Sequence, residues 1–90
     1  MPYINAPSHR ARLAALAQEV GAECRDAGEL NFFISSLLIT YVNAHGLRYH
    51  TLNTAVGVLE CVKTEFNRRV VAPYEDQKAA GNGDLPWPAK

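Results

Sequence analysis

Apolar residues recur along this chain at steps of three and four, the spacing that places them on one face of an α-helix. The first such stripe runs from Leu13 to Cys24. Ser8 stands just ahead of it, where its hydroxyl is suited to accept a hydrogen bond from an amide of the first turn. We therefore predict a first helix over residues 9–25, capped by Ser8 and ending before the turn-prone sequence DAG.

The second segment, ELNFFISSLLITYVNAH, is apolar on nearly every side. It predicts a helix over residues 29–45, and Gly46 supplies the left-handed stop that ends it. A helix with this profile must be covered on more than one side, which a single partner helix does not achieve.

The third and longest stripe consists of Leu52, Val56, Leu59, Val62, Phe66 and Val70. It predicts a helix over residues 51–72. Three polar residues at its start are alternative caps, and the sequence does not choose among them: His50, Thr51 and Asn53.

Pro73 interrupts the helical pattern, because proline has no amide proton and its ring clashes with the preceding turn. The helix either kinks there or stops and restarts as a short fourth helix over residues 73–80. Glycines and prolines then predict an extended tail over residues 81–90. Trp87, between two prolines, has a large area to bury, either on its own domain or on a neighbouring subunit.

These elements predict an all-α fold: a small three-helix domain, made of a helical hairpin plus an N-terminal helix, with the Pro73 kink or fourth helix and the extended tail. A chain of 90 residues suits one domain, over 1–90, whose own core is only marginally sufficient. We therefore expect a homo-oligomer, a dimer or higher. The residues expected to contact another subunit or a partner protein are Phe32, Ile39, Tyr74 and Trp87.

Charge and cysteine content narrow the functional classes. Nine basic and nine acidic residues balance to zero, so the chain has no general electrostatic attraction to nucleic acid or anionic membranes. Cys24 and Cys61 fall where apolar residues would pack, and we interpret both as buried thiols rather than a disulfide. No apolar run has the length of a membrane helix or a signal peptide, which predicts a cytoplasmic protein.

Two clusters of candidate ligand-binding residues flank the third helix: Arg48, Tyr49 and His50 at its start, and Arg68 and Arg69 near its end. On one straight helix the clusters would stand about 30 Å apart. Across an antiparallel dimer they would meet, which suggests an intersubunit pocket for an anionic small molecule or nucleotide.

The alternative interpretation of the arginine pair is a solvated ion network with neighbouring acids, namely Glu65, Glu75 and Asp76. In particular, Glu65 and Arg69 stand one helical turn apart and can form an ion pair. The two interpretations stay open at this point.

Catalytic and metal-binding patterns are weak. Glu60 and Glu65 are five residues apart, which points them about 140° apart on a helix rather than at one ion. Ser35 and Ser36 have no base nearby in sequence. The histidines, at positions 9, 45 and 50, lack ligand spacing. We therefore expect no enzyme activity, no cofactor and no metal.

A helix-turn-helix DNA-binding motif is a weaker alternative for VNAHGLRYHTLNTAVGVLE. Its second helix would offer only Asn53 and Thr54 near the start, and the neutral charge argues against binding phosphates. Nucleic acid is therefore an unexpected partner.

The stretches MPYI, GELNFFIS, GLRYHTLNTAVGVLECVKTEFNRRVVAPYEDQK and NGD resemble an uncharacterised family of small proteins encoded by tailed phages and bacterial prophages. The resemblance covers most of the chain and is most specific over residues 57–76, whereas residues 5–27 and the final LPWPAK look individual. It implies a phage or prophage origin and leaves the chemistry open. Small phage proteins of this kind commonly bind stoichiometrically, masking a host protein or sequestering a nucleotide signal.

Overall fold

The computed structural model describes residues 3–88, and between them it is all α-helical without a strand, as predicted. The helices are α1 (Pro7–Glu23), α2 (Ala27–His45), α3 (Tyr49–Phe66), a π-helical segment (Asn67–Val71) and α4 (Ala72–Asn82). The last three follow one another as a single helix that bends at the π segment. The chain groups into two units, residues 1–56 and 57–90, which are described separately.

Helix α1 begins earlier and ends earlier than the sequence predicts. Pro7 lies in its first turn and Ala6 precedes it, so the predicted Ser8 cap is wrong and Ser8 lies inside the helix. Proline has its φ angle fixed near the helical value, which favours it at this position. The helix ends at Glu23 because Cys24 is extended, with ψ 111°.

The residues predicted as a turn before the second helix instead start α2. Asp26 is the N-cap, and its carboxylate accepts a hydrogen bond from the Glu29 amide at 2.9 Å. The Glu29 carboxylate accepts one from the Arg25 amide at 2.8 Å and also pairs with the Arg25 guanidinium at 2.7 Å. This arrangement resembles a capping box: it satisfies the Glu29 amide, which the first turn leaves without a helical partner, and the Arg25 amide just ahead of the helix.

The predicted stop at Gly46 is confirmed. Its φ angle is 105°, and its amide donates to the carbonyl of Val42 at 2.8 Å. Glycine adopts this region without the steric penalty of a Cβ atom. The second helix therefore ends at His45, where the sequence placed its end.

Helix α3 starts at Tyr49, two residues before the predicted start. His50, Thr51 and Asn53 therefore lie within the helix, and none of them precedes it as a cap. Thr51 is among the most buried residues of the described chain, at 4% exposure.

Pro73 kinks the helix and does not end it. Val71 and Ala72 have right-handed helical backbone angles, and the Ala72 amide donates to the Asn67 carbonyl, five residues back. A π segment widens the helix where proline provides no amide and its ring crowds the previous turn. The helix continues to Asn82, past the predicted end at residue 80, and Gly83 follows it with φ 99°.

Most apolar stripes of the described chain stay exposed. The only buried apolar residue among residues 3–88 is Ala55. The prediction of two buried cysteines is wrong for Cys61, which is exposed, whereas Cys24 is half-buried, and both are free thiols. Helical spacing places apolar residues along one face, but burial also needs a second surface opposite that face.

Candidate functional site

The first predicted cluster lies at the corner between α2 and α3. The Arg48 guanidinium donates to the carbonyl of His45 at 3.0 Å, so it satisfies the end of α2. Arg48 also lies close to Gly46, where an added Cβ would come within 3.2 Å of its Nε. Tyr49 is 80% exposed, and the His50 carbonyl accepts the Thr54 hydroxyl at 2.9 Å. Arg48 thus stabilises the end of α2, whereas the exposed Tyr49 ring remains available to bind another molecule.

The second predicted cluster lies in the π segment. Arg68 donates from Nε at 3.0 Å and from Nη2 at 2.8 Å to one carboxylate oxygen of Glu65. The predicted Glu65–Arg69 ion pair is therefore wrong, since the carboxylate is taken by the arginine one position earlier. Within residues 3–88, Arg69 makes no ion pair and no side-chain hydrogen bond. Of the two arginines, Arg69 is the one available for an anion.

The predicted ion network around the proline is present only in part. Its Glu65–Arg68 pair forms, but Glu75 and Asp76 take part in no ion pair described for residues 3–88. The two clusters belong to different units of the chain, the first before residue 57 and the second after it. A pocket made of both stays a prediction from the sequence.

The residues considered for catalysis or metal binding have other contacts. No group of three His, Cys, Asp or Glu side chains suited to a metal ion occurs within the described residues 3–88. The Ser35 hydroxyl donates to the Asn31 side chain at 3.3 Å, and Glu60 lies 3.9 Å from Lys63. The His45 ring stacks on Tyr41 with ring centres 4.3 Å apart. These side chains make local helix contacts.

An apolar groove at the α2–α3 corner was not predicted. Its volume is about 380 Å³, and its walls are Leu38, Ile39, Val42, Asn43, Leu47, Leu52, Ala55 and Val56. We call it the corner groove. Ala55, one of these walls, is buried at 8% exposure. The available sequence signal was this small residue among the larger apolar residues of α3.

The four residues predicted to contact a partner are all exposed in the single chain. Phe32 is 74% exposed, and Ile39 and Tyr74 also lie open. The Lys78 ammonium stands 5.6 Å from the centre of the Tyr74 ring. Of the four, Ile39 also lines the corner groove. These exposures leave the four side chains free to make the contacts that the sequence analysis assigned to them.

The tail after α4 has an ordered turn around Trp87. One oxygen of the Asp84 carboxylate accepts the Leu85 amide at 2.6 Å and the Trp87 indole Nε1 at 2.9 Å. The Trp87 amide donates to the Leu85 carbonyl at 2.8 Å. Both apolar side chains are nevertheless exposed, Trp87 at 67%. The predicted tail thus begins at residue 83, and its last two residues, 89 and 90, lie outside the described residues.

The sequence model of a family described as "Domain of unknown function (DUF6899)" matches residues 1–85, and the chain belongs to this family. The resemblance to an uncharacterised family is confirmed to that extent. No curated protein and no solved structure matches the chain. In the described part of the chain, no helix has both the length and the hydropathy to cross a membrane.

Proposed function

We propose that this member of the DUF6899 family is a non-enzymatic protein-interaction module that assembles with copies of itself through α2. One observation carries the proposal: large apolar side chains on several sides of α2 are exposed in the single chain. They include Leu30, Phe32, Phe33, Ile34, Leu37, Ile39 and Tyr41. Soluble monomers rarely leave so continuous an apolar surface uncovered.

The amount of exposed surface supports assembly with a second copy. Seven large apolar side chains of α2 are each between 36% and 74% exposed, so a second copy that covers this helix has apolar area to bury. Obligate homodimers bury about 2,000–5,000 Å² in total, and their interfaces are the more hydrophobic ones.

The charge pattern of α2 favours a protein partner. Between Ala27 and His45 the only acidic or basic side chains are Glu29 and His45, one near each end. An interface in the middle of this helix would bury no charge, which avoids the desolvation penalty of charged groups. A surface without cations has little attraction for phosphates, so nucleic acid is a poor match for α2.

Sedimentation equilibrium of the full chain tests the proposal. We expect a dimer or larger oligomer at micromolar concentration, little changed by raising the salt concentration, because apolar burial is not screened. Circular dichroism on the same dilution series should lose helical signal as the oligomer dissociates. A monomer that keeps its full helical signal at micromolar concentration would refute the proposal.

A second candidate function is capture of an anionic small molecule, such as a nucleotide, at a subunit junction. The observation that favours it is Arg69, which has no ion-pair partner within residues 3–88, together with the exposed Tyr49 ring. Arginine supplies forked donors for phosphate and tyrosine supplies a stacking face. The resemblance to phage and prophage proteins supports a phage origin, action in the host cytoplasm and a role in sequestering a host signal.

Native mass spectrometry of gently purified protein tests this second candidate. An oligomer with extra mass in the nucleotide range is the expected result. Arg69→Ala should release that mass, whereas Arg10→Ala, which removes an exposed arginine from α1, should retain it. Equal retention by both variants would exclude Arg69 from the site. An oligomer without bound ligand would leave protein interaction as the function.

A further inference from the structure

The corner groove and the tail have complementary properties. The groove is lined almost entirely by apolar side chains, with Asn43 as its polar member. Its volume of about 380 Å³ is at the lower end of the range of small-ligand pockets, which is about 300–1,000 Å³. A groove of this size accepts one or two large side chains and is too small for a whole helix.

The tail presents two such side chains, from Leu85 and Trp87, and the Trp87 indole is already hydrogen-bonded to Asp84. The indole Nε1 is the only hydrogen-bond donor of the Trp87 side chain, and Asp84 satisfies it at 2.9 Å. Burying the indole would therefore leave no unpaired donor, which is the usual penalty for burying a polar atom. Because Asp84 also fixes the Leu85 amide, less conformational freedom is lost on docking.

We propose that Leu85 and Trp87 of one copy insert into the corner groove of a second copy. In the docked arrangement the indole lies against Val42, Leu47 and Val56. Asp84 stays at the rim, where the Asn43 amide donates a hydrogen bond to its carboxylate. This inference rests on the proposed self-assembly, since the exposed apolar side chains of α2 call for a second copy and that copy brings its own groove.

The insertion gives the assembly a second contact besides α2. Tryptophan buries about 150–250 Å², and such residues often dominate interface energetics. Each tail would occupy one groove, so in a dimer the exchange is reciprocal and the contact is closed by symmetry. A closed exchange of this kind leaves no groove free for the tail of a further chain.

Fluorescence of the full-length protein tests the docking directly, because Trp87 is its only tryptophan. In the oligomer we expect emission at shorter wavelength than in guanidinium chloride, where the indole is in water. Leu47→Glu places a carboxylate in the groove at a residue that is 79% exposed in the chain, so the fold of a single copy should tolerate it. This substitution should move the Trp87 emission to the longer wavelength of a water-exposed indole.

The matched control is Asn53→Glu, which adds the same charge to α3 at an exposed position outside the groove lining. It should leave the emission unchanged. Light scattering on each variant reports the number of copies at the same concentration. If Leu47→Glu and Asn53→Glu shift the emission equally, the corner groove is not the binding site.

A mixing experiment distinguishes insertion between copies from insertion within one copy. Trp87→Ala removes the only tryptophan, so in a mixture with Leu47→Glu all tryptophan emission comes from the Leu47→Glu chain. An excess of Trp87→Ala chains supplies intact grooves, and the emission should return toward the wild-type position. If it stays at the exposed position, exchange between copies is excluded.

The two proposals fail in different ways. A wild-type oligomer whose Trp87 emits as it does in denaturant would overturn tail insertion and leave self-assembly through α2 intact. A wild-type monomer would overturn self-assembly and with it the exchange of tails. Both readings come from one sample, by light scattering and by emission.

Discussion

Phe32→Ala is the sharpest test of the α2 surface. The side chain is 74% exposed in the single chain, so an interface that covers α2 has most of its area to bury. Complete burial of a phenylalanine contributes about 2 kcal/mol, which gives about 1.5 kcal/mol for each copy of Phe32 and about 3 kcal/mol for a dimer. Since each 1.4 kcal/mol of binding free energy changes a dissociation constant tenfold, the dimer dissociation constant should rise about 100-fold.

Alanine is a strong helix former, so the substitution should leave α2 intact. The dissociation constant is measured by sedimentation equilibrium over a dilution series, with circular dichroism at high concentration to check helix content. Asn31→Ala is the matched control, because it removes an exposed polar side chain from the adjacent position of α2. If the constant for Phe32→Ala changes no more than that of the control, Phe32 is outside the interface and the reasoning from exposure is wrong.

Three further predictions concern the helix ends and the kink. Asp26→Ala removes the N-cap of α2 and should lower the free energy of unfolding by about 1 kcal/mol in denaturant titrations, whereas Asp26→Asn should restore most of it. The Arg25 guanidinium lowers the pKa of the Glu29 carboxyl, so the stability that this pair adds is present above the ordinary glutamate pKa and is lost as the pH falls through the lowered value. In NMR titrations Arg25→Gln should raise the pKa of Glu29. An unchanged pKa of Glu29 would contradict the assignment. Pro73→Ala supplies a missing amide donor and should raise the free energy of unfolding by about 1 kcal/mol. Amide exchange around the π segment should also become slower, and an unchanged exchange rate would show that Pro73 does not cause the π segment.

The helices themselves were predictable because their determinants are local. The apolar periodicity of each segment, the stop at Gly46 and the disturbance at Pro73 depend on residues within one or two turns. The boundaries were less predictable. Pro7 and Ser8 competed for the start of α1, and Asp26 was assigned to a turn although it caps α2; such choices depend on small differences in capping energy.

The partners of the arginines were decided by the geometry of the kink. Sequence spacing favoured Glu65 with Arg69, but the structure pairs Glu65 with Arg68. The amide of Ala72 reaches back five residues instead of four, so the faces of this stretch no longer follow ordinary helical spacing. Within residues 3–88 this geometry leaves Arg69 without an ion-pair partner. The number of residues between Glu65 and each arginine could not indicate that.

The sequence by itself determined that the chain is all-helical and which apolar residues recur at helical spacing. The tertiary structure decided which side chains are covered within the chain: among the described residues Thr51 and Ala55 are buried, whereas Cys61 and Phe32 are exposed. It also placed the walls of the corner groove together and tied Trp87 to Asp84. The reason is physical: helix formation needs only neighbouring residues, whereas burial needs two surfaces that meet.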